Sequence, residues 1–110
     1  MTITKTTKNQ IIRGDILDVL SKLPDNIVDL TITSPPYNKR NRNGGWLVGE
    51  KKYDNYSDHM PEKQYREWQI SVLDELLRIT KHGGSLFYNH KIRWVKGKMF
   101  HPFEWLIKSD

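Results

Sequence analysis

Ser34, Pro35, Pro36 and Tyr37 stand in a row behind the apolar run Ile27-Val28-Asp29-Leu30-Thr31-Ile32, which reads as a buried strand. The two prolines stop that strand, because neither has a backbone N–H to donate and each fixes its own φ. Pro36 also pushes Pro35 out of the α region, so the tetrapeptide is stiff and extended. Its carbonyls lack local donors, and an aromatic ring closes it. Such a segment suits one kind of chemistry. A conjugated exocyclic amine on a nucleobase is a poor nucleophile, because its lone pair is delocalised into the ring. Acceptors aimed at its two N–H groups draw the nitrogen toward tetrahedral geometry and localise that lone pair. The Ser34 hydroxyl and the Pro35 carbonyl are suitable acceptors, and the Tyr37 ring is placed to stack on a base that has left its duplex. Catalysis of this kind is positioning plus hydrogen bonding to developing charge.

The other chemistry-bearing residues offer less. His59, His82, His90 and His101 are scattered, no two have the spacing of helical metal ligands, and there is no cysteine, so no metal site is expected. The chain lacks a phosphate-binding glycine loop of either standard spacing. Ser34 has no strand-turn-helix elbow and no evident partner base, which argues against a nucleophile. Carboxylate neighbours such as Asp74-Glu75 fall on a helix surface. Gly14-Asp15 remains, at the end of a second expected strand.

The elements that must position these residues follow from periodicity. Residues 1–9 are a polar, Thr/Lys-rich lead-in. Gln10-Ile11-Ile12-Arg13 reads as a short strand ended by Gly14-Asp15. Ile16 to Leu23 has helical spacing, with Asp15 placed as its cap. Pro24-Asp25-Asn26 is a turn before the apolar strand to Thr33. Strand, short helix and strand in close succession is the rhythm of a parallel α/β sheet, and ligands bind such sheets beyond the carboxyl ends of the strands. Residues 38–58 are polar, basic and tyrosine-containing. They read either as a solvated insertion or as a loop that faces nucleic acid, with cations for phosphates and aromatics for stacking.

Pro61 suits a helix's first turn. From there to about Lys81 the pattern is amphipathic: Tyr65, Trp68, Val72, Leu73, Leu76 and Leu77 share a face, and Glu75 can pair with Arg78. Lys81 and His82 suit the end of that helix, and Gly83-Gly84 is expected to stop it. Ser85 to His90 reads as the next strand, Lys91 to Lys98 as a basic connection containing Trp94, and about Pro102 to Lys108 as a last amphipathic segment.

The totals bound the answer. One small domain, residues 1–110, is expected from 110 residues. Apolar residues are 36%, offset in part by four Trp, five Tyr and three Phe, which bury large areas each. Without cysteine, disulfides and thiolate chemistry are excluded, and a cytoplasmic location is expected. No run is long enough to cross a membrane and the N-terminus has no signal-peptide core, so no membrane partner is expected. Lys+Arg of 18 against Asp+Glu of 13 gives +5, which is compatible with a nucleic-acid partner.

Ile32-Thr33-Ser34-Pro35-Pro36-Tyr37 resembles the catalytic signature of S-adenosylmethionine-dependent DNA amino-methyltransferases, specifically the cytosine-N4 type. The adenine-N6 enzymes usually carry Asp or Asn where this chain has Ser34. The flanks are similar to that family as well: Gly14-Asp15-Ile16-Leu17, Leu23 to Leu30, Asn38, Lys81 to Leu86, and His101 to Leu106. The resemblance covers about residues 10–108 and implies an α/β fold. That fold is a partial Rossmann-like class I methyltransferase fold with about three mostly parallel strands and flanking helices.

The resemblance further implies methyl transfer from S-adenosyl-L-methionine to the N4 amine of cytosine in DNA, in a restriction-modification setting. Ser34, Pro35, Pro36 and Tyr37 would form the catalytic segment, acting on a flipped base. Asp15 would contact the adenosine part of the cofactor, with helix capping as its alternative role, and Asn38 would line the same cleft. The family's target-recognition region and Phe-x-Gly-x-Gly cofactor segment are not in this sequence. Three readings follow: a catalytic part completed by a second polypeptide, an adenine-N6 enzyme of the same design, and a non-catalytic remnant that binds DNA.

Overall fold

The computed structural model describes residues 9–38 and 60–107. Most of the polar lead-in, Lys108 and nearly all of the basic 38–58 stretch lie outside the described residues. Helix α1 is Ile16–Ser21, strand β1 is Val28–Thr33, helix α2 is Glu62–Ile79 and strand β2 is Thr80–Tyr88. Strands β3, Arg93–Val95, and β4, Lys98–Phe100, form a hairpin before the short helix α3, Phe103–Leu106. The chain is a mixed α/β structure in which β1 and β2 pair in parallel and helices flank them.

Asp15 starts α1 from an extended backbone, and its Oδ1 accepts from the N–H groups of Leu17 at 3.0 Å and Asp18 at 3.4 Å. This is the capping geometry that satisfies donors the first turn leaves open. Asn26, at φ 53°, turns the chain. The N–H groups of Asn26 and Ile27 then donate to the carbonyls of Arg78 and Ile79, at 3.1 and 2.7 Å, so β1 begins against the end of α2. The expected Glu75–Arg78 pair forms at 2.6 Å. Arg78 also donates to the carbonyls of Leu20 and Leu23 and to Asp25, at 2.8, 2.9 and 2.6 Å. One guanidinium thereby joins α2 to the open carbonyl end of α1.

Apolar burial is one-sided. Leu20, Val72, Leu76 and Ile79 form one buried cluster, and Tyr65, Leu73 and Trp105 form a second, with Trp68 and Leu86 touching both. On the opposite face of the strands, Leu30, Ile32 and Phe87 stay exposed among the described residues. Helix α2 thus covers one face of the sheet, as its periodicity implies, although Leu77 lies outside the buried stripe and Ile79 and Gln69 lie inside it.

Three elements differ from the sequence reading. Gln10–Arg13 forms no strand; Ile11 is fully exposed, and no strand among the described residues pairs with the segment to satisfy its backbone groups. Helix α2 ends at Ile79 rather than Lys81, with Thr80 already extended and its hydroxyl donating to the Leu76 carbonyl at 2.6 Å. Lys81, His82, Gly83 and Gly84 therefore belong to β2. The pairing explains why. Val28 faces Thr80 and Leu30 faces Ser85, so β2 carries extra residues between those two steps. Gly83, at φ 81°, turns within that irregularity instead of capping a helix. The third difference is the basic connection, which is largely the β3–β4 hairpin. Its two-residue loop, Lys96-Gly97, has φ of 51° and 75°, the positive values that a twisted hairpin requires.

Gly84 has the tightest surroundings. A Cβ there would sit 2.7 Å from Thr80 Cγ2 and 2.9 Å from the carbonyl oxygens of Asp29 and Lys81. Two of those neighbours are backbone atoms of the sheet and cannot swing away. Gly84→Ala is expected to destabilise the chain by about 1–3 kcal/mol through overpacking, read as a lowered urea midpoint. An unchanged midpoint would show that the bulge relaxes freely.

Candidate active site

The parallel register brings two strand ends side by side. Beyond the Thr33–Tyr88 step, the Asn89 N–H donates to the Thr33 carbonyl at 2.9 Å, which sets Asn89 against Ser34. Ser34 and Tyr37 turn toward each other, with Oγ and the phenol oxygen 2.7 Å apart. The Asn89 Nδ2 donates to both, to Ser34 Oγ at 3.2 Å and to the Tyr37 oxygen at 3.0 Å. The partners of Ser34 are thus a phenol and an amide. Among the described residues no imidazole or carboxylate bonds Ser34 Oγ, so the hydroxyl is not armed as a nucleophile.

The proline part of the segment is held from below. Tyr65, fully buried on α2, donates its hydroxyl proton to the Pro36 carbonyl, and the same hydroxyl lies 2.6 Å from His90 Nε2. His90 Nδ1 is 2.9 Å from the Lys91 carbonyl. The imidazole sits among aromatic rings: Tyr37 at 5.0 Å, Trp105 at 5.1 Å and a stacked Tyr88 at 5.8 Å between centroids. The Tyr88 hydroxyl, in turn, donates to Gln69 Oε1 and accepts from Trp105 Nε1 at 3.2 Å. Burial pushes the Tyr88 phenol up to about 12, against smaller opposing effects of the Trp105 N–H and the Arg93 charge, so it stays neutral and structural.

Arg93 closes the underside. It is 5% exposed, its guanidinium carbon lies 4.9 Å from the centre of the Tyr65 ring, and it meets Glu62 through two bonds of 2.7 and 2.8 Å. Arg66 adds a bond to Glu62 at 3.3 Å and another to Glu104. Burial alone would raise the Glu62 pKa. Hydrogen bonds and charge from Arg93 and then Arg66 outweigh it together and hold the carboxyl below its ordinary value.

Of the residues singled out by sequence, the fold gathers Ser34, Pro36 and Tyr37 into one bonded group, with Pro35 between them. Asn38 lies next to them, 6% exposed and in the left-handed region at φ 56°. Its amide grips the Met60 backbone in both directions, Nδ2 to the carbonyl at 2.9 Å and Oδ1 from the N–H at 2.6 Å. Asn38 thereby ties together the two ends of the chain that flank residues 39–59. Asp15 is not brought to Ser34 or Tyr37 by any described bond; its Oδ1 caps α1, and the two capping bonds leave Oδ2 for another donor. Asn89, His90 and Tyr65 were missed as site residues. Their signal is polar side chains directly after an apolar strand that neighbours the Ser34 strand, plus a tyrosine on the helix face beneath. Among the described residues, no three His, Asp or Glu gather into a metal-binding group, and no helix is long and apolar enough to cross a membrane.

Residues 28–110 match the N6_N4_Mtase family, described as DNA methylase. The chain belongs to this DNA methylase family. Its curated relatives include the Type II methyltransferase M.BglII of Bacillus subtilis, 36% identical over 80 residues, and the Type II methyltransferase M.BamHI of Bacillus amyloliquefaciens, 30% identical over 90 residues. Those alignments cover 73% and 81% of this chain but 19% of each relative. The DNA adenine methyltransferase YhdJ of Escherichia coli is 34% identical over 77 residues, covering 70% of this chain and 23% of the relative. The chain thus spans about a fifth of the length of the methylases it matches. That fifth contains the Ser34–Tyr37 segment, the parallel strand pair and the buried helix that holds them.

Proposed function

We propose that this chain is the base-gripping part of an S-adenosyl-L-methionine-dependent DNA methyltransferase, acting on the exocyclic N4 amine of cytosine in a restriction-modification system of the cytoplasm. The observation that carries the reading is the bonded Ser34–Tyr37 pair at the carboxyl ends of two parallel strands, in a chain of the DNA methylase family. Ser34 Oγ and the Pro35 carbonyl accept the two N–H groups of the amine, while the Tyr37 ring stacks on the flipped base. The Pro36 carbonyl, committed to Tyr65, fixes the segment to α2 and keeps the acceptors from drifting as charge develops on the amine.

On the adenosine side of the cofactor, one residue supports the reading. Asp15 caps a helix with one oxygen and keeps Oδ2 for a hydroxyl donor, whereas Asn38 spends both amide atoms on Met60 and serves the site by holding the backbone beside Tyr37. When bound, S-adenosyl-L-methionine supplies a methyl group on a positively charged sulfur for transfer to the amine nitrogen. A second polypeptide, or further chain, supplies the remaining cofactor contacts and the target recognition. Serine at position 34 favours cytosine. Adenine-N6 methylation is the second reading, favoured by the likeness to an enzyme named as a DNA adenine methyltransferase.

The chain, co-expressed with the reading frame that follows it, is expected to move tritium from methyl-labelled S-adenosyl-L-methionine into unmethylated duplex DNA. Cofactor binding without transfer to any DNA, or no cofactor binding at all, would overturn the assignment in favour of a DNA-binding remnant.

A further inference from the structure

We infer that Asn89 is the positioning residue of the site: one side-chain amide, itself registered by the sheet, fixes both the amine acceptor on Ser34 and the ring of Tyr37. In the sequence it reads as the tail of a strand. Three distances define the arrangement, 3.2 Å from Nδ2 to Ser34 Oγ, 3.0 Å from Nδ2 to the Tyr37 oxygen, and 2.7 Å between the two hydroxyl oxygens. An amide nitrogen has two protons and no acceptor capacity, so it donates one proton to each oxygen. Each hydroxyl must then face a lone pair toward Asn89, and neither can turn its proton there.

The remaining hydrogen bond runs between Ser34 and Tyr37 and uses one of their two protons. When Ser34 donates to Tyr37, one Ser34 lone pair goes to Asn89 and the other is left to meet an amine N–H. Without Asn89 the Ser34–Tyr37 bond no longer has a fixed direction, and each oxygen loses the donor that orients its lone pair. Asn89 therefore acts on two elements of the grip at once. It selects the Ser34 rotamer, and it anchors the far end of the Tyr37 ring, whose face is set by His90 at 5.0 Å. The amide is placed by a backbone bond, Asn89 N–H to the Thr33 carbonyl at 2.9 Å, and not by a mobile loop. A group held by strand pairing can hold another to the fraction of an ångström that methyl transfer to an amine requires.

The inference rests on the proposed methyltransferase reading, and its test separates the two. In the full chain labelled with nitrogen-15, the two Asn89 side-chain proton resonances are expected to respond separately. Ser34→Ala should shift one and Tyr37→Phe the other. In the transfer assay, Asn89→Leu and Asn89→Ala should lower kcat by about a hundredfold, with KM for the cofactor and the urea midpoint unchanged. Asn89 is exposed, so a merely structural role would move the midpoint or nothing. Side-chain resonances indifferent to both substitutions, or full kcat in Asn89→Leu, would overturn the role of Asn89. Absence of transfer by the unsubstituted protein would instead strike the methyltransferase reading, and the resonances would still decide whether Asn89 holds the pair.

Discussion

Replacing Ser34 with alanine should lower methyl transfer by about 100- to 1,000-fold, the usual loss when one preorganised hydrogen-bonding group is removed from a developing charge. The fold should survive. Ser34 is exposed, and its removal leaves the Asn89–Tyr37 bond of 3.0 Å in place. Cofactor affinity should also hold, because the proposed role of Ser34 is toward the amine and not the adenosine. The pattern to look for is a fall in kcat at constant KM for the cofactor, which marks an interaction made in the transition state. Single-turnover transfer with saturating cofactor and duplex measures it. A Ser34→Ala protein with undiminished single-turnover rate would remove serine from the mechanism and leave the grip to backbone carbonyls alone.

Glu62→Ala should destabilise the chain by about 3–5 kcal/mol, the size expected when a buried ion pair loses one partner. Surface ion pairs such as Lys81–Asp29, 2.9 Å apart but largely exposed, contribute at most about 1 kcal/mol. Arg93 is different: it is 5% exposed, both its bonds to Glu62 are direct, and its Nε has no partner among the described residues. Losing the carboxylate strands a guanidinium between Tyr65, Phe100 and Trp105. In a small domain such a loss is much of the total stability. It also reaches the site, since Arg93 backs the ring of Tyr65, which holds Pro36. Denaturant unfolding of Glu62→Ala against the unsubstituted chain reads the loss directly, and a midpoint within error would show that Arg93 escapes to solvent.

The same pair sets a pH dependence. The folded-state pKa of Glu62 is lowered from its ordinary value of 4.5, so its contribution is present above that unfolded value and is lost as pH falls through the folded value. The stability difference between the unsubstituted chain and Glu62→Gln should therefore be constant from neutral pH down to the unfolded value. Below it the difference should shrink.

The sequence carried the site's centre and the scaffold beneath it. An apolar run stopped by two prolines could only be a strand end, and β1 ends at Thr33, one residue before Ser34. The Glu75–Arg78 pair and most of the buried stripe of α2 were legible because helical spacing alone places them. What was not legible depended on partners far away in sequence. The end of α2 is set by the pairing of Thr80 with Val28, so Gly83-Gly84 looked like a helix stop and is a strand irregularity. Gln10–Arg13 has strand-like residues and no described neighbour to pair with. Lys96-Gly97 is a two-residue hairpin loop whose first residue is a lysine at positive φ, without the usual asparagine or aspartate. Asn89 and His90 gain meaning only from the parallel register that sets them beside Ser34 and Tyr37. Asn38, expected at the cofactor cleft, is found with its amide on Met60, a contact across 22 residues of chain that no local pattern announces.

The Ser34–Tyr37 grip is proposed to direct methylation of the cytosine N4 amine. Its most direct test is mass spectrometry of nucleosides from the DNA of the organism that carries the gene, before and after a chromosomal Ser34→Ala replacement. N4-methylcytosine is expected in the first sample and lost from the second, with other modified bases unchanged. N4-methylcytosine that persists after the replacement, or a loss confined to N6-methyladenine, would contradict that role.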